Sequence, residues 1–499
     1  MDTFIRVPGD AEFIIERLES HGYEAFVVGG CVRDACLGRI PADWDITTSA
    51  TPDQVKQVFK KTIDTGIEHG TVTVMMHGTG YEVTTYRLDG EYEDNRHPKE
   101  VAFTSNLSED LKRRDFTINA MAYNSRVGLV DQFDGIGDLK RGLIRCVGDA
   151  EERFDEDALR VMRAVRFSAQ LGFDIEESTY QAIKNHKAFL KNISEERIRV
   201  ELTKLVASAH ADRVNVLYAT GILEEILPEL TPCFGCEQHT VHHIFDVGEH
   251  IVRSVMNMNF FFMNLSDEDG EKKSKYLSYV LQGMSTAQQE IFKTYLEKAL
   301  AYSDPIVRDL TEKDRTILSM TMLLHDIDKP TCKTVDERGI THFYNHQILG
   351  SEKSYGIMRK LTFDNESVGE AKKLILWHDY RDWDSFKKVR KNISKYGDGI
   401  YKLFLVQFAD VLAQNPDKFE GKFEKLFDAL EKVKEVLEAG VPLRVKDLKI
   451  NGNDLINLGY EKGPAIGKAL NDLLGSVLDN PELNEKEKLT EIARDALGK

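Results

Sequence analysis

Val27-Val28-Gly29-Gly30-Cys31-Val32-Arg33-Asp34, followed by Gly38 and then Asp43-Trp44-Asp45-Ile46, is the stretch on which the fold turns. A β-branched pair running into a diglycine predicts a strand, a tight turn and the start of a helix. Glycines at that turn leave backbone N–H groups open to close approach by a phosphate. Asp43 and Asp45 stand two apart in what reads as a strand, so both carboxylates would face one side. Two like charges side by side ask for a counter-cation, and oxygen ligands suit a hard divalent ion such as Mg2+.

Working outward, Thr71–Met76 and Tyr81–Arg87 flank His77-Gly78-Thr79-Gly80, which predicts a β-hairpin. Glu82 lies on its second strand, where a sheet would bring it beside the aspartates. Three acids on neighbouring strands suit two-metal phosphoryl transfer and make a protein nucleophile unnecessary. From Asp149 onward the apolar spacing turns helical, with Pro/Gly punctuation near 228–235, 330 and 439–442. The fold class is therefore α+β: a mixed-sheet head followed by a long all-α body.

Within Arg153–Phe167, Asp157 and Arg160 are three apart on a predicted helix and share a face. Aspartate accepts a hydrogen bond and arginine only donates. Cytosine and adenine present an amino donor beside a ring-nitrogen acceptor, which this pair matches. Uracil and guanine present the reverse order, and each buried mispair would cost about 1–3 kcal/mol. Arg163 and Arg166 follow on the same helix and are expected to contact the nucleotide as well. Basic residues recur further on at Arg197 and Arg199.

A second constellation lies further on. His250, His325-Asp326 and Asp410 carry metal-ligating groups, and His346 and His378 add possible further ligands. Imidazoles and carboxylates together suit a divalent metal of unassigned identity, commonly used for hydrolysis.

Composition narrows the rest. The 499-residue chain is 41% hydrophobic and 30% charged, with a formal net charge of −17. That charge disfavours non-specific duplex binding, but phosphate contacts are local, and basic residues cluster at Lys112-Arg113-Arg114 and along the Arg160–Arg166 helix. Six scattered cysteines do not build a disulfide framework, and Cys233-Cys236 is a lone pair without two further zinc ligands. No apolar run reaches the roughly 18 residues that cross a membrane. The N-terminus shows neither a basic leader nor an apolar signal core. The expected compartment is the cytoplasm, with no membrane partner; oligomeric state is left open.

These motifs also carry a resemblance. GGCVRDACLGRIPADWDI (residues 29–46) resembles the first motif of the polymerase-β-type transferases that add CCA to tRNA, in their bacterial and eukaryotic class. KRRDFTINAMA (112–122) resembles the second motif and DGIGDLKRG (134–142) the third. The resemblance implies that Arg113, Arg114, Asp115 and Asn119 contact the ribose and phosphates of an incoming nucleotide, with Gly29, Gly30 and Arg33. It implies that Asp157 and Arg160 act as an amino-acid template, with tRNA, CTP and ATP as partners and Mg2+ as cofactor. Arg87–Pro98 resembles the loop used in switching from C to A. His250, His325, Asp326 and Asp410 resemble the HD domain fused to some such enzymes, implying phosphatase or 2′,3′-cyclic phosphodiesterase activity. Asp328 stands where many of those relatives carry glycine.

The expected organisation is a nucleotidyltransferase head over 1–145 and a nucleotide-recognition neck over 146–230. An HD-type helical domain over 231–415 carries an insertion at about 254–312, and a tRNA-binding tail spans 416–499. Three alternatives stay open: an enzyme adding only the terminal A, a poly(A) polymerase, and an HD phosphohydrolase that uses the head as an RNA-binding module.

Overall fold

The computed structural model describes residues 4–89, 92–93, 97–98, 101–263 and 270–497. It falls into two compact units, Met1–Thr231 and Pro232–Lys499.

The first unit is α+β. Its seven-stranded sheet runs, edge to edge, Gly128–Asp131, Met121–Asn124, Ala25–Val28, Ile46–Thr48, Thr79–Thr85, Thr71–Met76, Thr62–Gly66. Neighbours are antiparallel except Ile46–Thr48 beside Thr79–Thr85, which run parallel with Ile46 opposite Val83. The expected hairpin is present, turning at His77 and Gly78, whose φ values are 47° and 91°. Positive φ at both central residues matches the twist of the flanking strands.

All four residues of Ala25–Val28 are buried, so this short apolar strand sits at the heart of the head. Gly29 follows at φ 81° and caps the helix Gly30–Cys36. A Cβ on Gly29 would lie 3.1 Å from Arg114 Nη1, so both its conformation and its surroundings favour glycine. Asp43-Trp44-Asp45 is extended chain just ahead of the strand, which begins at Ile46. The aspartates are therefore a loop end fed into the sheet rather than strand residues.

Beyond Asp149 the first unit is mainly helical. Leu159–Leu171 buries eleven of its thirteen residues, Arg160 and Arg166 among them. The sequence pattern showed the apolar face but not the burial of the arginines beside it.

The second unit is mostly helical. Val247–Phe262 packs on Glu312–Leu324 and Ile400–Leu412, and His346–Lys360 packs on Asn365–Trp377. A small separate core around Leu455, Leu473, Val477 and Leu489 closes the C-terminal segment. The stretch expected as an insertion at about 254–312 is itself helical where it is described. Residues 254–261 are buried in the helix that carries His250, and Gly270–Val280 and Thr286–Arg308 form two more helices. Half of the polar run 264–275 that suggested an insertion, residues 264–269, lies outside the described residues. No helix among the described residues is long and apolar enough to cross a membrane.

Candidate active site and a second histidine centre

Parallel pairing of Ile46 with Val83 puts Asp45, the residue that feeds into its strand, beside Glu82, midway along Thr79–Thr85. The protein packed around Asp45, with the charges of Asp43 and Glu82, pushes its carboxyl up to about 6, while Arg114 pulls the other way. All three carboxylates remain accessible to solvent. Accessible carboxylates gathered this closely gain when a divalent cation binds, so this donor set fits Mg2+.

Arg114 is fixed from below. Asp110, fully buried, accepts two hydrogen bonds from Arg113 (3.0 and 2.7 Å), one from Arg114 (3.3 Å) and one from Thr47 (3.1 Å). Burial would raise the Asp110 carboxyl, but the two guanidinium groups bring it below its ordinary value. Asp110 was not singled out in the sequence, although its spacing of three and four from the arginines on one helix was a usable signal.

Arg33 donates to Asp34 and, through Nη1 at 2.7 Å, to Asn119 Oδ1. Asn119 in turn donates to Asp115 Oδ1 at 3.1 Å. Asp115 Oδ2 accepts from Arg163 at 2.8 and 2.5 Å. Burial of Asp115 opposes its ionisation, yet the charge and hydrogen bonds of Arg163 bring its carboxyl down to about 2. Arg33, Asn119, Asp115 and Arg163 are thus one connected network between the head and the neck helix.

Asp157 and Arg160 differ from expectation. Asp157 is not on the helix face; it is extended, at φ −139°, and its Oδ1 accepts the backbone N–H of Leu159 at 3.0 Å. The cause is the preference of aspartate for capping a helix start. Its other oxygen accepts from Arg197 at 3.2 Å. Arg160 donates to Glu156 at 2.6 Å and to the carbonyls of Arg153 (3.1 Å) and Arg113 (3.0 Å). The two residues are held near the head by separate partners. Arg166 donates to Glu201 at 2.5 Å and to Gln170 at 2.7 Å, both within the neck. Of the loop at Arg87–Pro98, only the strand Arg87–Asp89, paired with Val101–Phe103, and the short pair 92–93 and 97–98 are described; residues 90–91 and 94–96 lie outside.

In the second unit the six expected ligands come together. His250 lies in the first turn of its helix, His325 and His378 end theirs, His346 begins one, and Asp410 sits inside Ile400–Leu412. Each histidine places Nδ1 against a backbone carbonyl: His250 on Ala413 (3.1 Å), His325 on Met322 (2.8 Å), His346 on Phe343 (2.8 Å), His378 on Ile375 (2.6 Å). A carbonyl can only accept, so Nδ1 carries a hydrogen, and Nε2 is the atom each ring can offer to a cation once it is unprotonated. Those atoms face each other, His250 to His325 at 3.2 Å and His346 to His378 at 3.4 Å. Asp326 lies between the pairs, with Oδ2 3.2 Å from His250 and Oδ1 3.3 Å from His346. Both Asp326 oxygens are buried with no hydrogen-bond donor aimed at them, although Lys329 Nζ is 2.7 Å from Oδ2. Lone pairs and carboxylate oxygens converging in a buried space fit divalent cations. Among the described residues, His250, His325 and Asp326 form one tight ligand set and Asp326, His346 and His378 another.

Asp328 is tied away from this centre by an ion pair with Lys353. His243 lies half-buried and edge-on against His250, and the protein around it, with Lys329 and His250 nearby, keeps it neutral. A cavity of about 470 Å³ opens beside the ligands, and burial pushes Lys422 in its wall down to about 8. Lys422 comes from a distant helix, and no sequence spacing pointed to it.

Three family models match along the chain. They are the "Poly A polymerase head domain" over residues 25–145, the "Probable RNA and SrmB- binding site of polymerase A" over 172–234, and tRNA nucleotidyltransferase domain 2 over 337–493. The CCA-adding enzyme of Lactiplantibacillus plantarum is 53% identical over 228 residues, 46% of this chain and 55% of that one. That of Lactobacillus helveticus is 40% identical over 337 residues, 66% of this chain and 80% of the relative. The chain spans about half the length of the first curated relatives it matches, at 55%, 54% and 54%. Among solved structures, the Bacillus stearothermophilus CCA-adding enzyme in complex with CTP is similar at TM-score 0.64 and 28% identity, covering 98% of this chain and 97% of that one. The Thermotoga maritima CCA-adding enzyme complexed with tRNA shares the fold at TM-score 0.56 and 19% identity, covering 99% and 97%. With four-fifths of the Lactobacillus helveticus enzyme matched at 40% identity, the chain belongs to the family of CCA-adding enzymes.

Proposed function

We propose that this chain rebuilds the 3′ end of tRNA, adding C, C and A from CTP and ATP without a nucleic-acid template. The observation that carries the reading is the parallel register that sets Asp45 beside Glu82, with Asp43 and Arg114 acting on Asp45. Asp43 and Asp45 would hold Mg2+, which supplies Lewis acidity toward the 3′-hydroxyl and the triphosphate when bound. The 3′-oxygen forms a bond to the α-phosphorus, the bond from that phosphorus to the β-phosphate oxygen breaks, pyrophosphate leaves, and the hydroxyl proton passes to solvent. Arg113, Arg114 and the Arg33–Asn119–Asp115 network orient the triphosphate and ribose. Asp157 accepts the amino group of C or A and Arg160 donates to the ring nitrogen, so U and G meet like against like. Such an enzyme belongs in the cytoplasm, where unpaired cysteines are the norm. Asp45→Ala is expected to abolish incorporation of both CTP and ATP into a tRNA transcript; retained transfer would refute the assignment.

A second reading applies to the second unit, which we infer is an HD-type metal centre. The facing Nε2 atoms and the hydrogen-bond-free oxygens of Asp326 favour it. Divalent cations there would supply Lewis acidity for phosphate-ester hydrolysis, in which water oxygen bonds to phosphorus, the ester P–O bond breaks and a proton goes to the leaving alcohol. Equilibrium dialysis against Mn2+ tests it, with loss of binding expected in His325→Ala.

A further inference from the structure

Asp110 is a charged residue with no surface exposed to solvent, and the chemistry proposed for the head leaves it without a task. It sits in the short helix Leu107–Lys112, three and four residues ahead of Arg113 and Arg114, so its carboxylate reaches both guanidinium groups. The two are held unequally. Arg113 places both Nε and Nη2 on Oδ1, at 3.0 and 2.7 Å. Arg114 gives Oδ2 one longer bond, 3.3 Å, from Nη2. Oδ2 also accepts from Thr47 Oγ1 at 3.1 Å, and Thr47, two residues after Asp45, is buried in the strand Ile46–Thr48. Asp110 therefore ties the arginines to the strand that Asp45 feeds.

Arg114 keeps most of its donors in reserve. Its Nε is buried with no hydrogen-bond partner among the described residues. Its Nη1 lies against the Gly29 turn, 3.1 Å from where a side chain on that glycine would begin, and its charge acts on Asp45. One carboxylate shared by two guanidinium groups leaves one positive charge, which the fork of Arg114 delivers between the diglycine and the carboxylates. A planar fork on a long, flexible stem grips phosphate oxygens well only when its orientation is fixed beforehand. The buried carboxylate, itself braced by Arg113 and Thr47, is what fixes it.

We propose that Asp110 is a positioning residue for the triphosphate: through Arg114 it sets where the phosphates of either nucleotide meet the carboxylates, and it takes no part in choosing the base. The proposal rests on the reading of the head as a nucleotidyltransferase. Base choice falls to Asp157 and Arg160, whose side chains are held by Arg197, Glu156 and the Arg153 carbonyl; Arg160 touches the Asp110 group only through the carbonyl of Arg113.

Asp110→Asn keeps the size of the side chain and removes its charge. Steady-state incorporation of CTP and of ATP into tRNA transcripts is compared with the native chain, and inorganic tripolyphosphate is titrated calorimetrically into each protein in excess Mg2+. KM is expected to rise roughly tenfold or more for CTP and ATP alike, while kcat falls less than about threefold. Tripolyphosphate should weaken by a like factor, and C-over-U discrimination should stay within about twofold of native. Adding Asp110→Asn to Arg114→Ala should raise KM by less than about twofold further, because the one acts through the other. Thr47→Val removes a tie but leaves the charge in place; it should raise both KM values by about threefold, and it carries the test if Asp110→Asn does not fold. No transfer by the native chain would overturn the transferase reading and this proposal with it. Transfer with native KM values and tripolyphosphate affinity in the variants would overturn this proposal alone, as would a fall in kcat or in discrimination with KM unmoved.

Discussion

Arg163 of the neck helix donates two hydrogen bonds, 2.8 and 2.5 Å, to one oxygen of Asp115 in the head. Asp115 is buried and Arg163 partly so, and the other Asp115 oxygen is shared between the Phe116 N–H and Asn119, so the carboxylate is fully compensated. This contact joins the residues expected to grip the nucleotide sugar to the helix expected to choose the base.

Breaking that pair has a pH signature. The Asp115 carboxyl falls to about 2 in the folded chain, from an ordinary value near 3.8. The associated stability is therefore present above about pH 4 and lost as pH falls through about 2, amounting to about 2 kcal/mol. Urea unfolding from pH 2 to 6 should show this slope in the native chain and not in Asp115→Asn. At neutral pH Arg163→Ala, which leaves the carboxylate buried and unpaired, should cost about 3–5 kcal/mol.

Asp45 behaves in the opposite sense. Its carboxyl lies at about 6, so without cation it holds a proton that the unfolded chain would release between about pH 4 and 6. Metal-free protein should therefore lose stability as pH rises through that window, and Asp45→Asn should melt higher than the native chain at pH 7.5 but not at pH 4. Below about pH 6 the proton competes with Mg2+, so the Mg2+ needed for half-maximal transfer should rise about tenfold per pH unit. Thermal melts with and without Mg2+, and Mg2+ titrations of transfer from pH 5 to 8, check both.

Arg160→Ala should relax nucleotide choice more than it lowers the rate with CTP. Loss of one buried mispair penalty of about 1–3 kcal/mol corresponds to a fall in C-over-U discrimination of roughly 5- to 150-fold. Glu156→Ala should weaken discrimination too, because Glu156 holds the Arg160 guanidinium at 2.6 Å. Single-nucleotide incorporation with CTP and UTP gives both ratios.

In the second unit, Mn2+ should raise the melting temperature of the native chain, since a ligand that binds only the folded state stabilises it by mass action. Asp326→Ala removes the carboxylate common to both ligand sets and should abolish that rise. A calorimetric scan of each protein with and without Mn2+ decides it.

How far the sequence could be read depended on how local each signal was. The hairpin at His77-Gly78 and the turn at Gly29 are set by neighbouring residues, and both formed as expected. The six expected ligands of the second unit were recognisable singly as histidines and aspartates, but the grouping of five of them into two sets sharing Asp326 exists only in three dimensions. Asp157 was misplaced because a helical period of apolar residues says nothing about where an aspartate will stop one helix and cap the next. Arg166 read as a nucleotide contact because its charge is visible in sequence while Glu201, its buried partner 35 residues on, is not. Lys422 gave no signal, since a lysine acquires meaning only from the cavity it lines.

The most direct test of the central claim is stepwise incorporation by the purified chain with Mg2+ on tRNA transcripts ending at the discriminator base, at C and at CC. Each is offered CTP, ATP, UTP and GTP singly and together. Addition of C, C and A followed by a stop is the expected result. Addition of A only to the CC transcript, unlimited addition of A, or no incorporation at all would contradict it.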